Sequence, residues 1–340
     1  MANFDFESKN IEHKNIEDRE IGGYMELELP NKKPYYFGED VVGVNTGRSA
    51  IYHALKDCHA KKLYLPHYLC TSMLQVIEPL GLTYEFYNMD KDFNPIFDKQ
   101  TTEDEAFLYI NYFGTGNKKL IKTIARNHKN FLMDNTQAFF SKPMPEIYNL
   151  YSARKFFGVS DGGYLIKKGL KNIELEPDIA CSSAIHLLKR IELGANSAYI
   201  DNMKNEDRFD TFRPIGMSML SKRILAGIDY EEVKLKRERN FYYLHSKLKN
   251  LNRLELSHDF EAPMVYPLLI EKDKLREYLV SKKIYVPHWW KDVLARVEKD
   301  SFEHYLSNNL VALPIDQRYD KVDMDYIIGH IMTYDKSKII

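Results

Sequence analysis

The sequence has almost no net charge, few cysteines and no unbroken apolar run, and each shortage excludes a class of protein. Lys plus Arg number 48 against 49 Asp plus Glu, a formal charge of -1, so no general field gathers nucleic acid or an anionic membrane. The three cysteines, Cys58, Cys70 and Cys181, form no CxxC pair and show no metal-ligand spacing, which points to a reducing compartment and no structural metal. The most apolar stretch, Leu63 to Leu82, is broken by Pro66, His67, Gln75, Glu78 and Pro79, which rules it out as a membrane span. The first twenty residues are rich in acids and lack the apolar core of a signal peptide, so a soluble, cytoplasmic protein is expected. Neither GxxxxGKS/T nor GxGxxG occurs, which removes the usual support for nucleoside triphosphate or NAD binding. There is no internal repeat or low-complexity tract.

What is present is ordinary globular composition, 44% hydrophobic and 29% charged over 340 residues, enough for one large domain and a smaller one. Residues 1–40 read as an N-terminal arm: a charged segment, then MELELP alternating in strand fashion, then Tyr35, Tyr36 and Phe37 closed by Gly38. From Val41, short apolar strands (KKLYLP, LTYEFYNMD, EAFLYINYFG, KNFLMD and GGYLIKKG) alternate with amphipathic helices, the pattern of an α/β domain with a mostly parallel sheet over 41–232. Its first helix opens at Thr46-Gly47-Arg48-Ser49 and carries Ile51, Leu55 and Cys58 on one face. A long charged helix then bridges to a small α+β domain, residues 233–340, with Leu235, Tyr242, Leu244 and Leu248 expected to be buried. That domain holds a strand, MVYPLLI, a helix, DKLREYLVSKK, a second strand, IYVPHWW, and a final helix from Lys321 to Met332.

Lys155 lies in YSARKFFGVSDGG, among aromatics and before a Gly turn and an apolar strand. Such surroundings lower an amine pKa by desolvation and leave a nucleophile, although a single lysine in a loop is more often a solvated charge. Upstream, KNFLMDNTQAF ends an apolar strand in Asp134, followed three residues later by Gln137. At the carboxyl end of a parallel strand an aspartate faces the ligand crevice of α/β folds. It suits the ring nitrogen of pyridoxal phosphate, which an aspartate keeps protonated as an electron sink, with Gln137 donating to the ring hydroxyl. Taken alone, Asp134 reads more simply as a helix N-cap. The small-residue turn Thr46-Gly47-Arg48-Ser49 opens a helix whose free N–H groups favour a phosphate, though alone it is an ordinary helix start. Ser152 adds a hydroxyl three residues before Lys155.

The order phosphate turn, aromatic strand end, Asp-x-x-Gln, Ser-x-x-Lys with Asp-Gly-Gly, and small C-terminal domain resembles the DegT/StrS-type aminotransferases. The resemblance spans about residues 38 to 335 and is strongest in LMDNTQAF and SARKFFGVSDGG. It implies the PLP-transferase fold of aspartate aminotransferase, with pyridoxal 5'-phosphate held as a Schiff base on Lys155. Asp134 would partner the pyridine nitrogen, Gln137 would lie near the ring hydroxyl, and Gly47, Arg48 and Ser152 would hold the phosphate. It implies a homodimer with active sites at the interface, where Thr211 and Arg213 of FDTFRP form a cross-subunit loop. The implied reaction moves an amino group from an amino acid, by resemblance glutamate, to a keto-sugar, usually nucleotide-linked, for a polysaccharide or glycoconjugate. Lys155 argues against the related dehydratases, in which histidine replaces the lysine.

The sequence also departs from that pattern. Cys70 occupies the position in LPHYLCTS where relatives stack an aromatic on the cofactor, so either Tyr68 does the stacking or the ring is held differently. Thr211 replaces an asparagine, and Asn135 and Thr136 replace small residues. These departures keep open a catalytically silent relative that serves as regulator or structural subunit. A nucleotide-binding module without the cofactor would make the Lys, Asp and Gln set a coincidence. His288, Trp289 and Trp290 are either a wall for a sugar or base or packing. Tyr35 and Tyr36 read as a hydrophobic anchor for the arm rather than a cover for the pocket. Arg318 reads as a partner of Asp316 and Asp320 rather than a carboxylate ligand. Lys118-Lys119 and KLKRER read as solvated faces, and His53, His59, His128 and His245 show no ligand geometry.

Overall fold

The computed structural model describes residues 21–170, 173–257 and 259–334; the first half of the expected arm lies outside them. The first unit contains β1 (Val41–Val44), α1 (Gly47–Asp57), β2 (Lys62–Pro66), β3 (Thr83–Met89), β4 (Pro95–Ile96), β5 (Glu105–Ile110), α2 (Lys118–Arg126), β6 (Asn130–Asn135), β7 (Tyr148–Ser152) and β8 (Gly163–Ile166). Then come α3 (Ile185–Asp207), which Gly194 interrupts with φ +81°, α4 (Met219–Ala226) and α5 (Tyr230–Leu248). The chain ends in β9 (Val265–Leu269), α6 (Leu275–Ser281), α7 (Phe302–Asn309), β10 (Leu310–Pro314) and α8 (Lys321–Met332).

Eight strands form one sheet in the order β1-β8-β7-β6-β5-β2-β3-β4. The run from β3 through β2, β5 and β6 to β7 is parallel, and β8 is antiparallel to both its neighbours. This is the mixed, mostly parallel α/β architecture that the alternating pattern predicts. The parallel strands read as continuous apolar runs, FLYI and FLM, because both faces of the sheet are covered. The parallel run places Asp134, next to the end of β6, and Ser152, the end of β7, at one edge of the sheet, beside the first turn of α1.

The C-terminal unit pairs β9 with β10 antiparallel and buries Phe241, Leu244, Leu248, Tyr266, Leu268, Leu279, Met324 and Ile327 in one cluster. Three expectations fail locally. Residues 284–290, IYVPHWW, form no strand, and the partner of β9 is LVALP instead. Met25–Pro30 makes no strand either; Met25 and Leu27 are exposed. The third concerns the phase of α5. Its buried stripe runs Tyr230, Val233, Arg237, Asn240, Phe241, Leu244, Leu248, while Leu235 and Tyr242 are 51% and 42% exposed. Two polar residues sit in the stripe, so counting apolar side chains alone misplaces it. The KLKRER segment is therefore not wholly a solvated face, since Arg237 is 1% exposed. Tyr35 and Tyr36 pack on Phe139, and Tyr36 donates to its carbonyl at 2.5 Å. That is the anchor the sequence suggested.

Candidate active site

A cavity of about 560 Å³ opens between the carboxyl edge of the sheet and the C-terminal unit. Gly47, Arg48, Asp134, Gln137, Ser152, Lys155 and Trp289 all line it, so the structure brings together seven residues drawn from four separate segments.

Each is set by local physics. Asp134 is the penultimate residue of β6, and its Oδ1 accepts the Thr136 N–H at 2.7 Å. No helix follows, so the carboxylate closes a tight turn instead of capping a helix. Gln137 accepts the Phe113 N–H through Oε1 at 2.8 Å, which fixes the amide and leaves its nitrogen as the group for the cavity. β7 ends at Ser152, and a short 3-10 turn, Ala153–Lys155, lifts Lys155 into the cavity. Its Nζ donates to Thr136 Oγ1 at 3.1 Å. By surface area this side chain is open to the cavity, yet protein atoms crowd its amine and displace much of its hydration. That removal from bulk water is the main cause of a lowered Lys155 pKa, and the Asp134 carboxylate opposes it.

Opposite stands the N-terminus of α1. Thr46 caps it, accepting the Ser49 N–H at 3.2 Å, and the first-turn amides of Gly47 and Arg48 have no intrahelical acceptor. A Cβ on Gly47 would lie 2.8 Å from Thr136 Cγ2, so only glycine lets the helix approach the strand ends this closely. The guanidinium of Arg48 turns toward Gln75, which it contacts. Burial and the neighbouring Arg154 hold its pKa down.

Other expected residues lie elsewhere. Tyr68 does not line the cavity. It is fully buried behind it, edge-on to Trp290 at 4.7 Å, and Leu69, Cys70 and Ser72 face the cavity from that loop. His288 bonds to the Ser307 carbonyl at 2.9 Å and stays out of the cavity, whereas Trp290 joins Trp289 in the wall. The side chains of Thr211 and Arg213 are exposed, and the loop packs on α1 through the Arg213 carbonyl, which accepts Asn45 Nδ2 at 3.0 Å. Arg318 lines the cavity and forks onto Asp316 at 2.7 and 2.8 Å, while Asp320 caps α8.

Sequence reasoning missed Arg154, Glu206 and Arg237, which also line the cavity. Arg154 pairs with Glu206 across more than fifty residues and lies over the Phe209 ring at 4.3 Å, a contact no local pattern announces. For Arg237 a signal existed: it stands in phase with Val233, Phe241 and Leu244. No cluster of His, Cys, Asp or Glu able to hold a metal occurs among the described residues, nor is any helix there long and apolar enough to cross a membrane.

No family model and no curated protein matches the sequence. Solved structures do. The chain superposes on the sugar aminotransferase CalS13 from Micromonospora echinospora with a TM-score of 0.58 at 14% identity, covering 87% of this chain and 88% of that one. A DegT/DnrJ/EryC1/StrS aminotransferase from Brucella abortus gives 0.57 at 17%, covering 86% and 85%. Spr1654 from Streptococcus pneumoniae, solved with PLP, gives 0.60 at 13%, covering 86% of each chain; a PMP form of it is also known. The class is thereby defined: an α/β chain with the fold of the sugar aminotransferases, as the sequence resemblance implied.

Proposed function

We propose that the protein is a PLP-dependent aminotransferase that moves an amino group from an amino acid, with glutamate the expected donor, to a keto-sugar, most simply a nucleotide-linked one. The observation that carries this reading is the convergence on one cavity of the Lys155 amine, the Asp134 carboxylate and the Gly47 helix start. Those residues fit the cofactor chemically. The open amides of Gly47 and Arg48 and the Ser152 hydroxyl suit a phosphate, Asp134 suits a protonated ring nitrogen, and the nitrogen of Gln137 suits a ring hydroxyl. Bound there, pyridoxal phosphate supplies a conjugated electron sink.

The chain itself does the rest. Lys155, partly desolvated, carries an amine whose pKa is lowered, so its Nζ would take a proton from the carbon bearing nitrogen and hand it to the carbon on the other side of that nitrogen. Thr136 Oγ1 holds that amine between transfers. Trp289 and Trp290 wall off the opposite side and exclude water. A homodimer belongs to this reading, supported by the exposed apolar residues Leu188, Ile191, Leu193 and Ile200 of α3, with Thr211 and Arg213 as surface contributed to the neighbouring site. The product would serve polysaccharide or glycoconjugate assembly.

The purified chain should absorb in the near-visible with added cofactor, and borohydride should fix that cofactor to the Lys155 peptide. Absence of the band, or its fixation elsewhere, overturns the reading. Cys70 in the wall in place of an aromatic favours a silent relative as the second reading. Glutamate should bleach the band if the chain is an enzyme; a band indifferent to every amino acid selects the silent relative.

A further inference from the structure

Phe156, the residue after Lys155, is gripped twice. Its carbonyl accepts Gln317 Nε2 at 2.8 Å and Arg237 Nη2 at 3.4 Å, and its ring lies under the Arg237 guanidinium at 4.5 Å. The two gripping side chains come from α5 and from the loop between β10 and α8, and they bond to one another, Arg237 Nε to Gln317 Oε1 at 3.1 Å. The same guanidinium donates through Nη1 to the Pro263 and Met264 carbonyls at 3.2 and 3.1 Å.

Met264 continues the connection. Its N–H donates to the Phe113 carbonyl at 2.8 Å, and the Phe113 N–H is held by Gln137. An unbroken hydrogen-bonded circuit therefore runs round the cavity from Gln137 through Phe113, Met264 and Arg237 to the peptide that carries Lys155.

A simple tether between the two units does not require this. Arg237 is 1% exposed and donates to neutral amide and carbonyl oxygens; burying such a cation is unfavourable by several kcal/mol before its hydrogen bonds are counted. Apolar contacts would join the units at less expense. What a guanidinium adds is direction, since its planar fork fixes several acceptors at once, which an ammonium on a flexible stem does not.

We propose that Arg237 and Gln317 are positioning residues, which seat the Phe156 carbonyl and through it the Lys155 amine, so that Lys155 is set only when the C-terminal unit is docked on the sheet. The groups facing that amine are Asp134, Cys70, Arg154 and Glu206. None belongs to the C-terminal unit, so docking acts through position and not through charge.

The test uses the full chain with Arg237→Lys, which keeps the charge and loses the fork, and Gln317→Met, which keeps the volume and loses both polar contacts. Stripped of cofactor, each is labelled at Lys155 with trinitrobenzenesulfonate over a range of pH. An unseated amine reaches water and moves back toward the ordinary lysine value, so both variants should label severalfold more slowly at neutral pH, with the labelling profile displaced to higher pH. With cofactor, kcat should fall about tenfold while KM for the donor holds. Cooperatively folded variants with the wild-type labelling profile would overturn the proposal and leave the pair a tether. If Arg237→Lys does not fold, Gln317→Met, at a half-buried position with no charge removed, decides alone. The labelling arm needs no cofactor, so its outcome stands apart from the functional reading on which the kinetic arm rests.

Discussion

A Cβ on Gly47 would lie 2.8 Å from Thr136 Cγ2, and the hydroxyl of that same threonine accepts the Lys155 amine. The turn that opens α1 is thus packed against the residue that holds the lysine. Gly47→Ala forces Thr136 to move and should destabilise by about 1–3 kcal/mol, the usual range for overpacking, with cofactor affinity falling as well. Thr136→Ser deletes Cγ2 and keeps the hydroxyl, so the double variant should recover most of both losses. Urea unfolding and cofactor titration of the four proteins check this. Additive effects in the double variant would show that the two sites do not communicate.

Glu303 supplies a pH dependence away from the site. Its side chain is fully buried, Oε1 accepts the Met89 N–H at 2.6 Å, and Oε2 has no partner. Burial raises its pKa above the ordinary 4.5. Between those two values the folded chain holds a proton that the unfolded chain has lost, so stability falls as pH rises through that window. Glu303→Gln mimics the protonated acid and does not ionise. Wild type should match the variant at acid pH and become the less stable as pH climbs from near 4.5. Thermal melting across pH reads the difference; parallel curves would contradict the assignment.

Legibility in the sequence followed the range of the interactions. The strands at 62–66, 105–110 and 130–135 and the helices at 47–57 and 321–332 were readable because local apolar pattern and end signals coincide there. β7 was missed, because YNLYS is short and merges with the segment around Lys155. The cavity-lining set was legible because Asp134, Gln137, Ser152 and Lys155 lie at or just after strand ends in recognisable order. Tyr68 was misplaced because nothing local says on which side of its loop a ring packs, and its aromatic contacts, Tyr112 and Trp290, are remote in sequence. Arg237 was hidden for a related reason: a buried arginine is recognised by its acceptors, and these lie in three other segments.

The phase of α5 gives a direct measure of that misreading. Phe241 is buried on the stripe and Leu235 lies on the solvent side. Phe241→Ala should destabilise by about 3–5 kcal/mol, while Leu235→Ala should stay within about 0.5 kcal/mol of wild type. Chemical denaturation of the two variants separates the structural phase from the one read off the apolar residues alone. A large loss at Leu235 would indicate that this face is covered, as by a second copy of the chain, and a concentration-dependent midpoint would then identify that cover.

The chain has two tryptophans, and both stand in the cavity wall, so its intrinsic fluorescence reports on the site with little background. Trp289 stacks on Phe113 with an interplanar angle of 9°, and the Phe113 N–H in turn holds Gln137. Trp290 stacks on Trp289 at 6.1 Å and packs edge-on against Tyr68, one ring farther from that circuit. Cofactor held between Asp134 and Gln137 should therefore quench the emission of Trp289 more than that of Trp290. In Trp290→Phe, where Trp289 is the remaining emitter, most of the emission should disappear on saturation; in Trp289→Phe the quenching should be smaller. Lys155→Ala should keep the quenching but make it reversible on dialysis, because the pocket remains while the covalent link is gone. Quenching equal in both single-tryptophan proteins would place the ligand away from the Gln137 side of the cavity and contradict the roles given to Asp134 and Gln137.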